Sequence, residues 1–156
     1  MKPVIALIDF SDATLAVLNA AGEQARLGRQ PLILIHVEAP VNPAVTYSVP
    51  GHETPVPDAE HLATLRSRQA ERLRAIHRDL ELKAAAWSSA EVPGRVLVLE
   101  DNDVAAALLR EAQELNAGLL VLGSHHHHQF YHRFVGSVTD KVVWKASCPI
   151  LIIPLT

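Results

Sequence analysis

The sequence contains one cysteine, Cys148, so no internal disulfide can form and a reducing, cytoplasmic setting is expected. Aromatic residues fill 4% of the 156 positions, too few to give a single-strand nucleic-acid binder its stacking platforms. Positive charge is not in excess. Lys and Arg number 14 against 17 Asp and Glu, a net −3 with histidine neutral, and no basic footprint for nucleic acid or an anionic membrane is visible. No apolar run approaches the ~20 residues needed to span a bilayer, and the longest are strand-sized, such as residues 149–155. The opening run is cut by Asp9 and lacks a small-residue cleavage site, so it does not read as a signal peptide. Neither nucleic acid nor membrane is an expected partner.

What is present suits one compact core. Apolar residues make up 49% and charged residues 20%, so the core must be built from Leu, Val, Ile and Ala, with residues 1–156 as a single domain. Histidine is the surplus: nine in all, four of them consecutive from His125 to His128. That run is internal, unlike a purification tag.

Five short apolar runs, at 4–8, 32–37, 95–99, 119–122 and 150–153, are separated by stretches with helical character. Most are continuous in Val, Ile and Leu rather than alternating, as in strands buried on both faces of a parallel sheet. Strand and helix signals that alternate with crossovers of this length predict an α/β fold. The expected architecture is a doubly wound, Rossmann-like sheet of five parallel strands with helices on both faces. The first helix is expected to start at Ser11 as N-cap, to bury Leu15, Leu18, Ala21 and Ala25, and to stop at Gly28. A long second helix runs from near Asp58 into the eighties on a stripe of Leu62, Leu65, Leu73, Ile76 and Leu80. A third spans about Asp103 to Leu115. The fourth begins at Ser137, with Asp140 as capping partner, and buries Val138, Val142 and Val143. Residues 39–58 hold five of the ten prolines and read as a long irregular loop.

In such sheets ligands bind beyond the carboxyl ends of the strands, where the strand order reverses. Asp9-Phe10-Ser11, Val37 and Gly123-Ser124 should meet there. So should a helix start reading Gly136-Ser137-Val138-Thr139-Asp140, whose free N–H groups and dipole favour an anion. The alternative is that Ser137 only caps its helix and Gly136 only permits the turn.

These residues resemble the universal stress protein family over essentially the whole chain. The likeness lies in Ile8-Asp9-Phe10-Ser11, in Ile35-His36-Val37, and in the C-terminal third, LLVLGSHHHHQFYHRFVGSVTDKVVWKASCPILIIP. The resemblance implies an adenine-nucleotide alpha-hydrolase-like fold. Members that hold ATP share the spacing G-x2-G-x9-G-[ST]. Gly123 and the Gly136-Ser137 pair keep that register, and His126 replaces the middle glycine. By resemblance Asp9 would sit near ribose or base, Val37 and Leu122 would line the adenine pocket, and Gly136, Ser137, Val138 and Thr139 would hold phosphates. A glycine in that loop lets backbone approach phosphate without a Cβ. The His126 ring must either fill the phosphate space or point outward as a donor.

The histidine run has three readings. Were residues 129–134 helical, His128 and His132 would stand at i, i+4 and could ligate one metal ion, although no carboxylate or cysteine nearby completes the set. With ordinary pKa values near 6.5 the histidines could instead attract anions on acidification, beside Arg133. The third reading is a solvated loop that tolerates histidine. His36, between Ile35 and Val37, reads as a core or strand-end histidine. Cys148 reads as a packing residue without an activating neighbour. Trp87 and Trp144 read as packing or interface residues, and Tyr47 either covers the pocket or packs there.

The expected function is a non-enzymatic stress-response dimer with altered or absent ATP binding, on the His126 substitution. The resemblance implies pairing through the last strand, residues 150–153, which Pro154 limits. The alternative within the family is an ATP-binding switch with Mg-ATP as its cofactor; a metal binder through the histidine loop is a further alternative. An adenylyl-transferring enzyme of related topology is disfavoured. The (H/T)-x-G-H signature such enzymes carry after the first strand is here Asp9-Phe10-Ser11-Asp12, and no nucleophile–base pair is apparent.

Overall fold

In the computed structural model, which describes residues 1–41, 58–87, 94–124 and 137–154, strands and helices alternate along the chain. The elements are β1 (Val4–Leu7), α1 (Thr14–Gly28), β2 (Leu32–Glu38), α2 (Ala59–Ala85), β3 (Gly94–Glu100), α3 (Val104–Glu114), β4 (Leu119–Ser124), α4 (Ser137–Lys145) and β5 (Ile150–Pro154). The five strands form one parallel sheet in the order β3-β2-β1-β4-β5. Winding outward from β1 to β2 and β3, then back to β4 and β5, puts the reversal of order between β1 and β4. The doubly wound α/β fold is the one the alternating pattern predicts.

The runs of Val, Ile and Leu are continuous because the sheet is covered on both sides. One layer joins Val4, Ala6, Ile8, Leu32, Leu34 and Val121 to Val17, Leu18, Ala21 and Ala25 of α1 and to Leu80 and Ala84 of α2. The other joins Ile5, Ile33, Ile35, Leu120 and Leu122 to Ala105, Ala107 and Leu108 of α3 and to Val142 of α4. Small alanines on the helices let them sit close to branched side chains on the strands. Asp58 and Asp103 cap α2 and α3 by accepting from the amides of His61 (2.7 Å) and Ala106 (3.1 Å).

Three local expectations are corrected. Ser11 does not cap α1, which starts at Thr14 after Ala13 with no side-chain cap. The Ser11 hydroxyl donates to Asp9 Oδ1 at 2.6 Å, and that carboxylate also accepts from the Ser11 amide at 3.0 Å. A charge-assisted turn two residues upstream takes precedence over the cap. Leu15, in the first turn at the margin of the buried face, is exposed, and so is Val143 beside the buried Val142. α1 does end at Gly28, as expected, with the left-handed turn taken by Arg29 at φ 49°. Among the described residues no helix is long and apolar enough to cross a membrane.

Candidate functional site

β1 leaves the sheet early, and that departure builds the site. Its pairing with β2 ends at Leu7 opposite Ile35, followed by one further bond from the Ile8 amide to the Ile35 carbonyl at 2.8 Å. Phe10 then takes a left-handed φ of 58° inside the Asp9–Ser11 turn, and the chain peels away. In a parallel ladder alternate residues of a strand bond to the same side. Because Ile35 faces β1, Val37 faces it too, so its N–H and C=O point into the space that β1 has left. On the far side β2 stays paired with β3 as far as Glu38.

That space is a cavity of about 930 Å³ at the carboxyl ends of β1, β2 and β4. Leu7, Ile8, Asp9 and Phe10 form one side, and His36, Val37, Glu38 and Ala39 another. Arg72, Ala75, Ile76 and Asp79 of α2 close a third side, and Val104, Gly123, Ser137, Val138 and Thr139 complete the described lining. The surface is mainly apolar with a few polar groups, the usual character of a small-molecule site.

His36 is 7% exposed and carries two polar contacts: Nδ1 lies 2.7 Å from the Ile8 carbonyl oxygen, and Nε2 lies 3.1 Å from Glu38 Oε2. A carbonyl only accepts, so Nδ1 carries the hydrogen and donates. The Phe10 ring meets the imidazole edge-on, centroids 5.0 Å apart. Glu38 is held from α2 by the Arg72 guanidinium, 3.3 Å from Oε1. At the opposite wall the Thr139 hydroxyl donates to the Gly123 carbonyl at 3.2 Å and ties the start of α4 to the end of β4. A Cβ on Gly123 would stand 2.9 Å from the Ala13 Cβ, so this glycine admits α1 against β4.

Beside the cavity, the Asp103 carboxyl is held below its ordinary range, first by the Ala106 amide and then by Lys141 of α4, 3.1 Å away. Asp101 is lowered too, chiefly by accepting from the Asp103 amide and further by Arg110. The Lys141 pair pins the α3 cap to α4, and the Arg110 pair ties Asp101 to α3 itself.

Residues 1–154 match the Universal stress protein family. The chain belongs to that family. A universal stress protein family member from Burkholderia pseudomallei is 25% identical, with a TM-score of 0.65 over 97% of this chain and 96% of that one. One from Archaeoglobus fulgidus, solved in complex with dAMP, is 22% identical with a TM-score of 0.58, over 98% of each chain. Another universal stress protein, solved with cAMP, is 22% identical with a TM-score of 0.63, over 99% of this chain and 98% of that one. No curated protein matches.

Of the residues the family register singles out, this universal stress protein gathers Asp9, Val37, Gly123, Ser137, Val138 and Thr139 around one cavity. Leu122 is not among them. Its side chain, 1% exposed, is locked into the core layer with α3 and α4. Tyr47, the His125–His128 run with His126, and also His132 and Gly136 lie outside the described residues. Among those described, no group of three or more His, Cys, Asp or Glu is placed to hold a metal. Sequence reasoning placed Phe10 at the site within Asp9-Phe10-Ser11 but missed Glu38 and the α2 wall of Arg72, Ala75, Ile76 and Asp79. Two signals were available: Glu38 shares a strand face with His36 at i+2, and the Ile76 stripe had to meet the sheet somewhere.

Proposed function

We propose that this universal stress protein holds an adenine nucleotide in the cavity as a non-catalytic, regulatory ligand. The observation that carries the reading is the free Val37 edge. An N–H and a C=O from one residue, side by side at the head of a mainly apolar cavity, match the acceptor N1 and the amino donor N6 of adenine. The volume exceeds what a nucleotide needs, and Ser137, Val138 and Thr139 bring the amino end of α4 to the opposite wall, where phosphate is favoured. Adenine nucleotides are also what the two ligand-bound relatives named above hold. The described lining sets Asp9, Glu38 and Asp79 against Arg72, so it lacks the cationic excess a bare triphosphate calls for. A nucleoside monophosphate, or a triphosphate with Mg²⁺, suits that balance better. A non-catalytic role follows from the way the polar groups are used. His36 and Thr139 are committed to backbone carbonyls, and the Ser11 hydroxyl, 2.6 Å from Asp9 Oδ1, is spent on closing its own turn.

Thermal unfolding with AMP, cAMP, ATP and Mg-ATP tests this, with GTP as control. At ligand 100-fold above Kd the folded state gains about 2.7 kcal/mol, a Tm rise of about 5–10 °C. Unchanged melting with every adenine nucleotide at millimolar concentration rejects the reading.

The same protein is proposed to pair with a second copy along β5. That strand is an edge of the sheet, and Ile150, Leu151, Ile152 and Ile153 are all half-buried in the single chain. Sedimentation showing only a monomer at the highest soluble concentration counts against it.

A further inference from the structure

A parallel ladder has a fixed next step. After the Ile8 amide donates to the Ile35 carbonyl, the Val37 amide should donate to the Ile8 carbonyl. That bond is not made. The Ile8 carbonyl accepts instead from His36 Nδ1 at 2.7 Å, a short contact from the side chain of the residue next to Val37. The strand β1 accordingly ends at Leu7. The imidazole is held from its other edges as well. Nε2 faces Glu38 at 3.1 Å, Arg72 fixes Glu38 from α2, and Phe10 packs edge-on.

We propose that His36 is a positioning residue: by taking the Ile8 carbonyl as its own acceptor, it keeps the Val37 N–H free of the sheet and available to a ligand. A free amide at a strand end facing a missing partner would otherwise close the gap, because an unpaired N–H beside an unpaired carbonyl is costly to both. His36 supplies the carbonyl with a different donor and so removes the pull. The site thereby keeps a preformed donor, where a ligand would otherwise have to break a sheet bond. For the ligand this rests on the adenine-nucleotide reading above; for the backbone it stands alone.

Amide hydrogen exchange on the nucleotide-free, 15N-labelled full chain tests the backbone claim. In the parent protein the Val37 amide should exchange at least about tenfold faster than the laddered Ile35 amide. In His36→Phe, which removes the donor, the Val37 amide should pair with Ile8 and slow by about tenfold or more. His36→Asn keeps an N–H donor near the Nδ1 position, so exchange there should remain fast. A Val37 amide as protected as Ile35 in the parent overturns the proposal. So does unchanged exchange in a folded His36→Phe. The parent measurement decides even if that variant does not fold.

The nucleotide arm reads separately. AMP should slow Val37 exchange in the parent and in His36→Asn, and its stabilisation should weaken about tenfold or more in affinity in His36→Phe. Wild-type affinity in a folded His36→Phe whose Val37 amide has become protected overturns the link between the two. If neither AMP, cAMP, ATP nor Mg-ATP has an effect on any of the proteins while the exchange pattern holds, the nucleotide reading fails and the backbone role of His36 stands.

Discussion

Replacing Gly123 with alanine would place a Cβ 2.9 Å from the Ala13 Cβ and 3.4 Å from Val17 Cγ2. Carbon atoms in good contact stand about 3.5–4.0 Å apart. The Ala13 methyl is fixed to backbone and cannot swing aside, so the start of α1 or the end of β4 must shift by several tenths of an ångström. Overpacking of this kind costs about 1–3 kcal/mol. Alanine also narrows the unfolded ensemble, which offsets about 0.4–1 kcal/mol. The net expectation is a loss of about 0.5–2 kcal/mol, or a fall in Tm of about 1–8 °C. Urea unfolding followed by far-UV circular dichroism measures it. The decisive comparison is a double-mutant cycle with Ala13→Gly, which removes the opposing methyl. The pair should be coupled by about 1–2 kcal/mol, with the double variant more stable than the sum of the single losses implies. Strict additivity, or a Gly123→Ala chain as stable as the parent, would refute the packing account. Gly123 would then have to be explained by what it allows near a ligand.

Two further predictions concern titration. Asp101 and Asp103 have carboxyls lowered in the folded state, so the stability they contribute is present above the ordinary carboxylate range and fades as pH falls through their lower folded values. Asp103→Asn, which can still cap α3 but cannot pair with Lys141, should flatten the fall in urea midpoint between about pH 5 and about pH 2; an acid limb identical to the parent's would contradict this. Burial raises the Cys148 thiol, only partly offset by Lys2, so it should react with a disulfide reagent near neutral pH more slowly in the folded chain than in urea. Equal rates would show that the thiol is not desolvated.

The expectation that Cys148 packs without activation agrees with its half-buried place beside the second core layer. Trp144 is 86% exposed, whereas Trp87 is half-buried over Gly22. A sequence pattern cannot separate two such tryptophans, because nothing local records which neighbour arrives. Val142 and Val143 illustrate the same limit. Adjacent valines point about 100° apart on a helix, and only the docking direction decides which one is buried.

What the sequence determined by itself was the class of fold and the end of the sheet where chemistry gathers. Uninterrupted Val, Ile and Leu in strand-length runs leave no face for water, and crossovers of this length force parallel pairing. Asp58 and Asp103 announce their helices because a cap bonds amides only two or three residues away. What only the tertiary structure decided is how that end is used. The choice at Ile8 between the Val37 amide and the His36 ring joins residues 28 apart in sequence. Arg72 reaches Glu38 across 34 residues. Gly123 faces the methyl of Ala13, the residue just before α1 and 110 positions away. Such contacts belong to no local window of the chain; they exist because winding the sheet in two directions brings the ends of β1, β2 and β4 to one place.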